Sequence, residues 1–330
     1  MPSRTLDVAT VTSLVADAVT APSMHNAQPW LFRHVRGSDT LRLRMDPART
    51  MPRADPTHRG LYVGCAAALF NLRVAAAHGG WATDVASLPD PADPELLAEV
   101  RFTGDGAPDE ALAALYPALR RRRTNRSPFS DEPVPDEIRD ELGGAALAEG
   151  ARLVFLGSWQ TSAVLELVRD AEYAEALAPE LQREIAHWTR GDDDASRAEG
   201  IPAYAFGPHQ YNGHAPVRDF AAHAPLAGRP AATFEREPCL AVLGTREDRP
   251  VDWLTAGQAM ERVLLQATLD GLSTTLNSHA LEWPELRWAA RDPLTSMGHV
   301  QMLIRFGYGP EVPATPRRPV SEVLDVSDGG

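Results

Sequence analysis

Apolar positions at Leu6, Ala9, Val11, Leu14, Val15 and Ala18 recur at helical spacing, and the run stops at Ala21-Pro22-Ser23. That pattern predicts a helix over residues 6–20 feeding a stiff loop. Trp30 to Val35 and Leu41 to Met45 read as short strands joined by the turn Arg36-Gly37-Ser38-Asp39, a hairpin. Residues 61–78 predict a second, alanine-rich helix, and further strands are expected at Glu99 to Phe102, Arg152 to Leu156 and Cys239 to Gly244.

A weak internal repeat organises these elements. Gly64 opens an apolar helix that ends at His78-Gly79-Gly80, with Val100-Arg101-Phe102 closing a later strand. Gly257 opens a helix that ends at Asp270-Gly271-Leu272, with Ile304-Arg305-Phe306 closing a strand. Two copies of one helix and strand plan account for this; chance similarity between alanine-rich helices is the competing reading. Residues 84–110 are rich in Pro, Asp and Gly outside the strand and mark a connector. The expected division is an N-terminal half at 1–115 and a C-terminal half at 116–330. Residues 189–235 carry too many glycines and prolines for a regular element, and read as a lid inserted into the second half.

Composition narrows the chemistry. With 330 residues, 44% hydrophobic and 23% charged, the chain fits two domains or a fused pair. Its net charge of −13 argues against nucleic acid as a partner. All 32 basic residues are arginine, so chemistry that needs a lysine, such as a Walker loop or a pyridoxal Schiff base, is excluded. Two cysteines without paired spacing suggest neither a disulfide framework nor a thiolate metal site, and fit a reducing cytoplasm. No export signal is expected, and the apolar stretches read as too short for a membrane span. His209, His214 and His223 follow no recognised zinc spacing, so no metal is expected. Trp188, Tyr204, Phe206 and Tyr211 are expected to pack over a flat surface, the protein's own or a ligand's. There is no Gly-x-Gly-x-x-Gly for a Rossmann domain and no hydrolase nucleophile elbow.

Four segments carry candidate chemistry. Ala21-Pro22-Ser23-Met24-His25-Asn26-Ala27-Gln28-Pro29-Trp30 sets hydroxyl, imidazole and amide groups between two prolines, stiff enough to read a ring edge or a polyol, or simply to cap a turn. Arg120-Arg121-Arg122-Arg123-Thr124-Asn125-Arg126-Ser127-Pro128-Phe129 concentrates guanidinium groups in an acidic protein. It reads either as a site for a doubly charged anion or as a solvated run after a helix. Gly271 to Ser278 is a helix end from which backbone can pass close to a planar ligand. Phe306-Gly307-Tyr308-Gly309-Pro310 precedes Pro316-Arg317-Arg318-Pro319 and a hydrophobic tail.

Taken together the four segments resemble the nitroreductase superfamily, in its Acg-like single-chain branch. The first is similar to the family's Ala-Pro-Ser-x-x-Asn-x-Gln-Pro-Trp loop, with Met24 where a second serine is common. The second is similar to the Arg-Arg-Thr-Asn-Arg-x-Pro-Phe form of its arginine motif. The resemblance implies an α+β fold of two related halves, each a mainly antiparallel sheet flanked by helices, with FMN in the seam. It implies flavin contacts from Ser23, Met24, His25, Asn26 and Gln28, and phosphate or ribityl contacts from Arg122, Arg123 and Thr124. Arg126 is expected at the pyrimidine edge, and Leu276, Asn277 and Ser278 beside the ring. Arg318, then Arg317, is expected to complete the phosphate cage. The implied activity is ping-pong hydride transfer through flavin N5 from NAD(P)H to a nitroaromatic, quinone or similar small electron-poor acceptor, with no catalytic side chain assigned. The alternatives are an FMN store whose lid blocks turnover and a flavin-dependent dehydrogenase in natural-product tailoring. Either a monomer or a homodimer is compatible with a fused chain.

Overall fold

A computed structural model describes residues 6–103, 106–191, 197–222, 226–291 and 297–328. Its helices are α1 Val8–Ala18, α2 Arg59–His78, α3 Glu110–Ala113, α4 Asp136–Ala148, α5 Ser158–Ala176, α6 Pro179–His187, α7 Pro250–Leu269, α8 Pro284–Ala289 and α9 Val320–Val323. The strands are β1 Trp30–Val35, β2 Thr40–Met45, β3 Ala82–Ser87, β4 Leu96–Thr103, β5 Arg152–Phe155, β6 Thr189–Arg190, β7 Ile201–Pro202, β8 His209–Asn212, β9 Ala231–Thr233, β10 Cys239–Thr245, β11 Ser273–Asn277, β12 His299–Gly307 and β13 Leu324–Ser327.

The fold is α+β, built on two sheets. One runs β13-β1-β2-β4-β3 and the other β11-β12-β10-β5. Both are antiparallel except that β13 runs parallel to β1, with Phe32 opposite Leu324. Strict alternation explains the first hairpin: Trp30, Phe32 and His34 of β1 and Leu41 and Leu43 of β2 face the core. After β12 of the second sheet the tail thus finishes in the first sheet, which carries Arg317 and Arg318 back across the molecule.

Between the sheets lie α2 and α7, packed on each other, with α2 against the first sheet and α7 against the second. Seventeen residues of the 20-residue α2 are buried, which is why its sequence is apolar on every side rather than amphipathic. By length and composition it is the one helix, among the described residues, that could cross a membrane, contrary to the reading that no stretch suffices; nearly all of it is buried inside the fold.

Gly64 and Gly257 do not open helices as expected but sit inside them. A Cβ on Gly257 would fall 2.3 Å from the Val63 carbonyl oxygen and 2.6 Å from the Ala66 Cβ, so this glycine lets α7 touch α2. A Cβ on Gly64 would lie 3.2 Å from the Ser23 Cβ, where the first loop rests on α2. The region read as connector contains a strand, β3, whose half-exposed edge position hides the usual alternation. The segment expected to be irregular holds short pairs, β6 with β7 and β8 with β9; its residues 192–196 and 223–225 lie outside the described residues.

Candidate functional site

The loop from Ala21 to Trp30 is held in an unusual shape. His25, Asn26 and Gln28 all adopt left-handed backbone, with φ of 48°, 55° and 55°. Non-glycine residues there cost about 1 kcal/mol or more each, a strain that persists where surrounding structure enforces it. The enforcement is visible: the Gln28 N–H donates to Ser23 Oγ at 2.9 Å, and the Asn26 amide donates to the carbonyls of Gly200 at 3.1 Å and Pro316 at 3.3 Å. The loop is therefore clamped to both the 197–222 segment and the tail.

The arginine segment is aligned by β11. Thr124 bridges Thr274, the Asn125 N–H donates to the Thr274 carbonyl at 2.8 Å, and the Asn125 amide donates to Ser273 Oγ and the Pro310 carbonyl. Arg122 is buried, donates to the Thr20 carbonyl at 3.4 Å, and leaves Nε and Nη1 without hydrogen-bond partners among the described residues. Arg317 donates to the same Thr20 carbonyl at 3.1 Å and to Asn26 Oδ1 at 3.0 Å. Burial, together with the charges of Arg122 and Arg123, pushes the Arg317 guanidinium down to about 9. Like charges are thus crowded around one cavity of about 350 Å³, lined by Asn26, Arg122, Arg123, Thr124, Arg126 and Arg317 among others. Arg120 also lines this cavity, but its guanidinium is paired with Asp17 at 2.6 Å.

Through Pro22, Ser23, Thr124, Arg126 and Ile201, which line both, this cavity adjoins a larger one of about 450 Å³. Met24, His25, Leu276, Asn277 and Ser278 line the larger space, with Gly60 and Val63 of α2. The size suits a cofactor ring plus a small molecule. Burial and the Arg218 guanidinium hold the His25 imidazole well below the ordinary histidine range, so it is neutral at pH 7, and neither ring nitrogen has a partner among the described residues. Arg126 donates to the Ala205 carbonyl at 3.0 Å; burial, with Arg218 nearby, pushes it down to about 10, leaving it a cation at neutral pH. Asn277 donates to the Pro216 carbonyl at 2.9 Å, and Ser278 Oγ to Glu282 at 2.9 Å.

Of the fourteen expected site residues, the two cavities bring together all but Gln28 and Arg318. Those two bond to each other instead. The Arg318 N–H donates to Gln28 Oε1 at 2.7 Å, its guanidinium reaches the Gln28 carbonyl and Asp46 at 3.3 Å, and the Gln28 amide donates to the Ala198 carbonyl at 2.8 Å. The expected order of the tail arginines is reversed: Arg317 reaches the cavity, and Arg318 pins the tail to the loop.

Sequence reasoning missed Ile201, Arg218 and Phe220, which the 197–222 segment brings to the larger cavity. Phe220 meets the His25 ring edge-on at 5.5 Å and lies under Arg126 and Arg218 at 5.1 and 5.7 Å. The aromatics expected to pack over the protein's own surface or over a ligand divide between the protein's own core and its surface. Trp188 and Phe206 are core residues, Tyr204 donates to the Ala314 carbonyl, and Tyr211 is exposed. His209 lies 3.5 Å from Asp219, and His223 is outside the described residues. Nothing in the sequence marks Phe220, because its role depends on where an irregular segment folds.

Residues 119–308 match the model of the Nitroreductase family. The chain is 34% identical over 332 residues to Rv3131 of Mycobacterium tuberculosis (strain ATCC 25618 / H37Rv), provisionally named an NAD(P)H nitroreductase, covering 97% of this chain and 92% of that protein. It is 30% identical over 331 residues to acg of the same strain, provisionally named likewise, covering 99% and 98%. Among solved structures, an FMN and NADPH-dependent nitroreductase NfnB from Sphigopyxis sp. strain HMH matches at 16% identity and a TM-score of 0.39, covering 64% of this chain and 97% of that one. On the family match and the near full-length relatives, this chain belongs to the nitroreductase family, in its Acg-like branch.

Proposed function

We propose that the chain is an FMN-dependent oxidoreductase of nitroreductase type, with the phosphate of the cofactor in the smaller cavity and its ring in the larger. The observation that carries the reading is the convergence of Arg122, Arg123 and Arg317 on one cavity, with Arg122 Nε and Nη1 and Arg317 Nε buried and without hydrogen-bond partners among the described residues, Arg122 Nε having only the Glu261 carboxylate at 3.6 Å. Buried donors without acceptors are costly, and a phosphate dianion satisfies several at once. The residues present therefore fit the group. The similarity to relatives named as NAD(P)H nitroreductases supports NADH or NADPH as the electron donor.

FMN, when bound, supplies reversible hydride transfer at N5. The chain supplies the surroundings. Arg126 places a fixed cation at the junction of the cavities, which favours negative charge on a ring beside it. Neutral His25 offers a hydrogen bond there without adding charge. The larger cavity, lined also by Asp248, Arg287 and Trp288, would take a small electron-poor acceptor such as a nitroaromatic or quinone, alternating with the donor in ping-pong order. One flavin per chain follows if the two sheets with α2 and α7 are fused related halves that together do the work of two subunits. Such a chain works as a monomer or homodimer on small molecules in the cytoplasm.

Ile201 and Phe220 on the cavity wall favour a second reading, an FMN store whose 197–222 segment bars nucleotide from the ring. Anaerobic oxidation of NADH and NADPH with a nitroaromatic acceptor separates the two. Sustained turnover supports the reductase; a bound flavin that neither nucleotide bleaches refutes it and leaves the store.

A further inference from the structure

Glu261, on the face of α7 turned to α2, is fully buried, and its carboxylate is approached by the Asn71 side chain without a well-formed hydrogen bond. Its closest ion-pair partner is Arg122, with Nε 3.6 Å from Oε1. Arg122 is the same guanidinium that lines the smaller cavity, so a carboxylate inside the fold and any anion in the cavity share one cation. The other groups that act on Glu261 are Asn71 on α2, whose amide donates to Thr20 Oγ1 at 3.1 Å, and Arg317 on the tail. Arg123, on the arginine segment, lines the same cavity and bears on Arg317.

We propose that Glu261 is a proton-accepting counterweight to the phosphate site: binding of the FMN phosphate draws Arg122 away from it, and the carboxylate takes up a proton. The inference rests on the flavin reading. A buried carboxylate that loses its partner to a second anion has no way to keep its charge except at a large desolvation cost, and neutralises instead. Without the anion, burial already pushes Glu261 up to about 7 against the pull of Arg122, Asn71 and Arg317, so the group is poised to titrate near neutrality. A nearby dianion raises it further. The sign follows: binding takes up a proton, so FMN affinity is fully expressed below the pKa of the free protein and falls as pH rises towards that of the complex. The phosphate's own second ionisation lies near pH ~6, below this window, and Arg317 stays mostly charged up to about pH 8.5.

The test titrates FMN into the flavin-free full chain, following flavin fluorescence between pH 7 and 8.5, with calorimetry at pH 7.5 in two buffers of different ionisation enthalpy. The wild type is expected to weaken by as much as about tenfold per pH unit and to take up close to one proton. Riboflavin, which lacks the phosphate, should show neither effect. Glu261→Gln should bind FMN more tightly than wild type at pH 8.5, with the slope gone. FMN binding by wild type without proton uptake, or a Glu261→Gln variant that keeps the full slope, overturns the role of Glu261 and leaves the flavin reading standing. Absence of FMN binding at every pH overturns the flavin reading itself. The calorimetry needs no variant, so the result holds even where Glu261→Gln fails to fold.

Discussion

Arg317 and Arg318 are neighbours with the same side chain, yet they serve different ends. The Arg317 guanidinium reaches the smaller cavity, while that of Arg318 pairs with Asp46 and its backbone holds Gln28. Removing Arg317 with alanine should cost about 2 kcal/mol of FMN binding, roughly a thirtyfold rise in Kd, by deleting charge-assisted hydrogen bonds to phosphate. Its effect on the urea midpoint should be small. Arg318→Ala should instead lower stability by about 2 kcal/mol, because it removes one of the two guanidiniums paired with Asp46, leaving Arg49 at 3.2 Å, and the guanidinium contact to the Gln28 carbonyl. Equal losses of stability in the two variants would count against the division of labour. The sequence carries both arginines but not this division: the motif shows which residue types gather, whereas the path of the irregular chain after Pro316 decides which one reaches the cavity. Gln28 is a similar case, legible as a site residue by its motif and turned by the structure into the tie for the tail.

At the level of elements, the α2–α7 contact joins the two sheets, and its tightest point is Gly257. Gly257→Ala should destabilise the protein by about 3 kcal/mol, since the added methyl meets backbone that can move only by separating the helices. Gly144→Ala on α4, where a Cβ meets nothing within 4 Å, should add roughly 0.5–1 kcal/mol through helix propensity. Opposite shifts in the urea midpoint check both together. The first hairpin and the body of both long helices could be read from the chain, because alternation and apolar runs report burial directly. Helix starts and β3 could not. Burial on all sides erases the periodicity that would set where α2 begins, and an edge strand such as Ala82–Ser87 has no consistently buried face.

Across the whole molecule, the site draws on the first loop, the middle arginine segment, the 197–222 segment, β11 and the tail, so no single stretch contains it. The four motifs made the cavity residues legible from Ser23 to Arg317. Ile201, Arg218 and Phe220 stayed hidden because irregular chain has no period from which its facing can be deduced. The tail closes the assembly through the parallel pairing of β13 with β1. Truncation after Val320 keeps both tail arginines but removes that anchor, and should weaken FMN binding by at least about tenfold through loss of pre-organisation. Unchanged affinity in the truncated chain would show that the loop contacts at Asn26 and Gln28 hold Arg317 on their own.

The most direct measurement is the stoichiometry and identity of flavin bound by the flavin-free wild-type chain, by titration followed by chromatography of the flavin released on heating. One FMN per chain, with riboflavin bound far more weakly, is the expected result. Two flavins per chain, preference for FAD, or equal affinity for riboflavin and FMN would contradict a single site built on Arg122, Arg123 and Arg317.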